Sequence, residues 1–120
     1  MGSIGSFGGK QIEREGKILS AATAVTVGPV VAVLTATVPV DKIWRVHYAE
    51  VACRGYGRWS LYVGGTLVGG GLTSAANEHD RTDLPGYIAA PAASVVEVKY
   101  TYNHGPAGIP LDVFVGYTEV

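Results

Sequence analysis

Charge is what this sequence has least of. Asp, Glu, Lys and Arg make up 16% of its 120 residues, against about a quarter in an ordinary soluble domain. Nine basic residues stand against ten acidic ones, net −1, with no run of either sign. A reader of nucleic acid takes most of its affinity from phosphate contacts and shows a basic face; none is visible here. Cysteine is nearly absent too. Cys53 stands alone, so no internal disulfide can form, and the chain fits a reducing or redox-neutral place of folding. A single small hydrophobe at a strand end, with only Arg54 as a basic neighbour, reads as a buried structural residue. No run of 18 apolar residues could span a bilayer, and no basic segment followed by an apolar one marks a signal peptide, so a product made in the cytoplasm is expected. The start Met1-Gly2-Ser3-Ile4-Gly5-Ser6 fits a myristoylation pattern, but the pattern is short and common in Gly/Ser-rich starts, and no lipid is assigned.

Catalytic patterns are missing as well. The three histidines fall in separate segments, and no serine sits in a G-x-S-x-G setting. Gly69-Gly70-Gly71 lacks the lysine and the following helix of a phosphate loop, so it reads as a bulge, a bend or a close backbone approach. Glu78, His79, Asp80 and Asp83 form the densest polar cluster, yet their spacing matches no metal motif. As a glycosidase pair, Glu78 and Asp80 would need the fold to place them across a sugar. The expectation is a protein that is not an enzyme, with no catalytic residue, no cofactor and no metal.

What the sequence does have is a period of two. Trp59, Leu61 and Val63 fall on one face and Arg58, Ser60 and Tyr62 on the other. Gly64-Gly65 interrupts the run and Thr66-Leu67-Val68 resumes it, as a two-residue hairpin turn with positive φ requires. Val96, Val98, Tyr100 and Tyr102 alternate with Val95, Glu97, Lys99 and Thr101; Leu111, Val113, Val115 and Tyr117 alternate with Asp112, Phe114 and Thr118. Leu34, Ala36, Val38 and Val40 alternate with Val33, Thr35 and Thr37. Residues 43–54 read as the longest strand, with Trp44, Val46, Tyr48 and Ala52 on one face and Arg45, His47, Ala49 and Val51 on the other. Residues 18–19 and 22–27 read as two short strands before Gly28-Pro29, residues 73–84 as a polar loop, and 87–90 as a short strand. No segment has a helical period.

About eight strands, with turns every eight to twelve residues or so, predict an all-β, two-sheet antiparallel sandwich of jelly-roll type over residues 17–120. An immunoglobulin-like sandwich is the alternative. At this length a single domain buries roughly two thirds of its unfolded surface and needs no disulfide or metal. Residues 1–16 are too rich in Gly and Ser to fold alone. They read as an extended N-terminal arm, either a frayed terminus or a segment that orders on a neighbouring subunit through Phe7, Ile12 and Arg14.

The succession IWRVHYAEVACRGYGRWSLYVGGTLVGGGLTS, a polar loop, and the strand SVVEVKYTYNHG resembles small jelly-roll proteins encoded among the virion genes of tailed bacteriophages, over roughly residues 30–120. The resemblance rests on strand and turn residues. It implies a head decoration, or cement, protein located in the virion, commonly a homotrimer, that binds the major capsid protein. A neck, tail or fibre component is the close alternative. The scarcity of charge agrees with self-association. Besides the arm residues, Asn77, Glu78, His79, Asp80 and Arg81 are candidates for an outward or intersubunit surface. The competing class is a carbohydrate-binding module in which Tyr56, Tyr62 and Tyr87 stack on a host glycan.

Overall fold

The computed structural model describes residues 16–120; the expected arm, with Phe7, Ile12 and Arg14, lies outside them apart from the exposed Gly16. Eight strands follow one another: β1 (Lys17–Val25), β2 (Val31–Thr37), β3 (Trp44–Cys53), β4 (Tyr56–Val63), β5 (Thr66–Thr73), β6 (His79–Ala90), β7 (Val95–His104) and β8 (Ile109–Glu119). They form two four-stranded antiparallel sheets, ordered β1-β8-β3-β6 and β2-β7-β4-β5.

That order is the signature of one long hairpin rolled up. Its tip is Gly64-Gly65, with φ of 59° and 84°, the two positive values that a type I′ turn needs and that only glycine adopts cheaply. From the tip backwards, β4 pairs with β5, β3 with β6, β2 with β7 and β1 with β8. Every connection except the tip crosses from one sheet to the other, which makes a jelly roll. The immunoglobulin-like alternative pairs its first two strands in one sheet, and here they lie in different sheets.

The core lies between the sheets. Trp59, Leu61 and Val63 of β4 and Val96, Val98 and Tyr100 of β7 face Val46, Ala49 and Val51 of β3 and Leu111, Val113 and Val115 of β8, all buried. Cys53 is buried among them. One polar thread runs through this core: Tyr100 donates its hydroxyl to Thr73 Oγ1 (2.7 Å), which donates to the Gly55 carbonyl (2.9 Å). Burial, first of all, holds the Tyr100 phenol far above its ordinary value, so it stays a donor, as a buried hydroxyl must to be satisfied.

Three expectations need correction. The two faces of β3 are not Trp44, Val46, Tyr48 and Ala52 against the rest. The register shifts between Val46 and Tyr48 on both flanking strands, and this bulge at His47 moves Ala49 and Val51 into the core and turns Tyr48, Glu50 and Ala52 outward.

The segments 18–19 and 22–27 are one strand, β1, because an unbroken ladder to β8 from Lys17 to Val25 carries the chain through Ser20 and Ala21.

The polar loop is short, since residues 79–84 belong to β6, which continues through Pro85-Gly86 to Ala90. A strand of polar residues shows no hydrophobic period, and this one is held by side-chain bonds instead. Asp80 Oδ2 accepts the Trp59 indole N–H (2.7 Å). Thr82 Oγ1 accepts the Gly70 N–H (3.3 Å) and donates to the Gly70 carbonyl (3.0 Å). All three bonds join the two sheets. They also explain the glycine triplet: a Cβ on Gly71 would strike the Asp80 carboxylate, one on Gly69 would strike Thr82, and Gly70 has φ 155°.

Gly71→Ala is therefore expected to push Asp80 off the indole and lower stability by about 1–3 kcal/mol, the usual cost of overpacking. Urea unfolding followed by tryptophan fluorescence measures it, and an unchanged midpoint contradicts the role given to the triplet.

Candidate interaction surface

The outer face of the β1-β8-β3-β6 sheet carries a cluster of polar and aromatic side chains. The bulge at His47 is what puts them there. Tyr48 lies across Gly116 of β8, in the space a Cβ would take, and Arg81 of β6 stacks over the Tyr48 ring at 3.9 Å from its centroid. The same guanidinium reaches Glu50 (3.6 Å) and Asp83 (2.9 Å), and hydrogen bonding to Asp83 raises its already high pKa. His47 bridges Thr118 Oγ1 (3.1 Å) and the Gly86 carbonyl (3.0 Å), with Tyr87 edge-on to its ring and Arg45 over Tyr87 at 5.0 Å. Exposed ion pairs of this kind add little stability; what they do is fix a patterned face.

Next to it, Ile18, His47, Tyr48 and Gly116 line a shallow concavity of about 300 Å³. At its rim Glu119 accepts from the Trp44 indole (2.9 Å) and from Lys17 (3.0 Å). The indole bond, followed by the lysine, holds the Glu119 carboxyl below its ordinary value.

The candidate residues in 77–81 divide. Asn77 is a turn residue, bonded to Ser74 and to the Leu72 carbonyl. Glu78 follows that turn, and its backbone carbonyl accepts the Cys53 N–H at the end of β3. Asp80 faces the other sheet and is occupied by Trp59. His79 and Arg81 are exposed on the outer face. The chain's order did not mark Tyr48 and Glu50 as their neighbours. The signal was the three-residue step from Val46 to Ala49 in an otherwise alternating strand. Among the described residues no group of three or more His, Cys, Asp or Glu could hold a metal ion, and no helix is long and apolar enough to cross a membrane.

Apolar side chains are exposed at one end of the sandwich. Val40 is 83% exposed, and Ile43 and Val120, joined by two backbone hydrogen bonds, are 46% and 45% exposed. β1 begins at this end, since Lys17 pairs with Tyr117.

Because folding lowers the pKa of Glu119, its bonds contribute fully above the carboxyl's ordinary 4.5 and are lost as pH falls through the lower folded value. Wild type is expected to be more stable than Glu119→Gln at pH 6, with a smaller margin at pH 3. Urea midpoints at the two pH values decide it, and a margin independent of pH contradicts the assignment.

No protein-family model matches the chain, and no curated protein matches it. Among solved structures it is similar to dimeric latent PorU from Porphyromonas gingivalis (13% identity, TM-score 0.45), covering 96% of this chain and 14% of that one. It is also similar to the extra small virus particle of the giant freshwater prawn Macrobrachium rosenbergii (9%, 0.42; 96% and 82%), and to the Gx strain of infectious bursal disease virus (12%, 0.39; 88% and 32%). Two of the three are virus or virus-like particles. The likeness is remote, and it transfers neither an activity nor a partner.

Proposed function

We propose that this chain is a non-enzymatic virion structural protein, a decoration protein of a tailed-phage head that binds the major capsid lattice and other copies of itself. The observation that carries this reading is the set of exposed apolar side chains Val40, Ile43 and Val120, in a chain with so few charges, at the end of the sandwich where β1 begins. A lone domain gains nothing from leaving such side chains in water, whereas an assembly protein buries them against a neighbour. Phe7, Ile12 and Arg14 are the residues assigned to contacts with that neighbour, and His79 and Arg81 to the outer face. A homotrimer, the form that the resemblance to phage decoration proteins carries, would join copies through head-to-tail contacts.

The tyrosines argue against the glycan-binding reading. Tyr62 has Lys99 over its ring at 4.8 Å, Tyr87 has Arg45, and Tyr56 is tilted against His104 with centroids 5.7 Å apart. They also lie on different sheets, Tyr87 on β6 and Tyr56 and Tyr62 on β4, and so build no common stacking platform.

The test is the copy number of the chain in purified particles of the phage that encodes it, by quantitative mass spectrometry. A decoration protein is expected at a level comparable with the major shell protein, and a chain lacking residues 2–15 is expected to be lost from the particle. A few copies per particle would instead assign it to the neck, tail or fibre. Absence from the particle overturns the reading.

A further inference from the structure

Each sheet has two edges, and the four edge strands are β1 and β6 in one and β2 and β5 in the other. An open edge offers a row of unpaired N–H and C=O groups to any passing strand, and proteins blunt such edges with charge, proline, bulges or side-chain cover. Three of these four are blunted. β5 has Gly70 capped on both its N–H and its carbonyl by Thr82. β6 carries Asp80, Arg81 and Asp83, and Pro85 lies in the bulge where its ladder to β3 shifts register. β2 is bulged between Ala32 and Leu34 and follows Gly28-Pro29. Among the described residues β1 has none of these devices. Its ladder to β8 is unbroken over nine residues, and from Ile18 to Val25 it contains no proline, no glycine and no charge.

The inner side of β1 is also left incomplete. Its residues alternate, with Leu19, Ala21, Thr23 and Val25 sharing the face of Val115, Val113, Leu111 and Ile109. In a closed sandwich the first set would be buried, yet Leu19 and Ala21 are only half-buried and Thr23 is exposed. The two sheets part here, leaving a cleft of about 330 Å³ between β1 and β2, lined by Thr23, Val25, Pro29, Val31 and Tyr100.

From these observations we infer that the outer edge of β1 from Ile18 to Val25, which pairs with no other described strand, is a contact between two copies of this chain, which pair antiparallel about a two-fold axis at Ala21 and join their sheets into one of eight strands. The strand's own chemistry selects a second copy. Such a contact sets a surface against itself and must be self-complementary, and a strand of small neutral residues is. Centred on Ala21, it places Leu19 opposite Thr23 of the partner subunit and Ser20 opposite the partner's Ala22. No charge meets a like charge, because Lys17 falls opposite the partner's Val25. Inner faces stay inner in this arrangement, so the half-buried Leu19 and Ala21 gain cover. A partner with a charged or bulky strand would gain nothing from a row of Ala, Ser and Thr. The contact deepens the self-association part of the proposed function but does not depend on capsid binding. Being two-fold, it doubles whatever ring the chain forms, giving a dimer, or a hexamer when a trimer also closes.

The experiment is the light-scattering mass of the full-length protein, compared with Ser20→Lys and Ala22→Lys, two separate substitutions on the exposed side of the strand. Far-UV circular dichroism and the urea midpoint establish that each variant is folded. The wild type is expected as two or six copies, with each folded lysine variant at half that mass. Independently, Ala21→Cys sets two thiols opposite each other across the axis, within the reach of a disulfide, and is expected to give a covalent dimer on mild oxidation; the buried Cys53 does not compete. A wild type of one or three copies overturns the inference, as does a folded lysine variant that keeps the full mass, and failure of Ala21→Cys to cross-link overturns the Ala21 register. A trimer that still binds particles would remove this contact while leaving the proposed function standing.

Discussion

Three side-chain hydrogen bonds between sheets, one from the Trp59 indole to Asp80 and two joining Thr82 to both backbone groups of Gly70, close one side of this sandwich, and much of its organisation follows from that closure. They require the glycines at 69–71, since no Cβ fits where the Asp80 and Thr82 side chains cross. They hold the polar strand β6 against the sheet, which positions Arg81 over Tyr48 on the opposite face. Among the described residues the other side has no equivalent tie. There, β1 and β2 diverge around an open cleft, and the strand that borders it pairs on one side only among the described strands. A sandwich locked on one side and open on the other is asymmetric in a way that suits assembly, because the closed side gives the domain its rigidity and the open side keeps bonding capacity for a neighbour.

Much of the fold was legible in the sequence because burial alternates wherever a strand crosses the middle of a sheet. Trp59, Leu61 and Val63, Val96 to Tyr102, and Leu111 to Tyr117 are inward as their spacing requires, and Gly64-Gly65 has the dihedrals that its position between two strands demands. What the pattern does not show is anything that depends on a partner strand. The bulge at His47 shifts one residue against two neighbours at once, so a strict alternation put Tyr48 on the wrong side. β6 was hidden because its residues are satisfied by a tryptophan and a glycine distant in sequence, not by an apolar face. The candidate surface was legible only in part for the same reason: His79 and Arg81 could be named from their polarity, whereas Tyr48, Glu50 and Gly116 join them through register alone.

Scarcity of charge ties these features to the proposed role. The chain pairs its few charges on both sheets, Arg81 with Glu50 and Asp83 on one and Lys99 with Glu97 on the other, and carries none from Ile18 to Val25 of β1. Large patches of one sign would keep copies apart; a neutral edge and an apolar end allow approach from two directions. Two distinct contacts per copy are enough to build a closed oligomer or a lattice, which a protein that reinforces a shell requires and a solitary binding module does not.

The most direct test of the open edge is amide hydrogen exchange of the full-length protein, followed across a dilution series. If β1 is a contact between copies, the amides of residues 18–25 become more protected as concentration rises, while those of β5 and β6 exchange at the same rate throughout. Concentration-independent exchange in β1 would contradict the account.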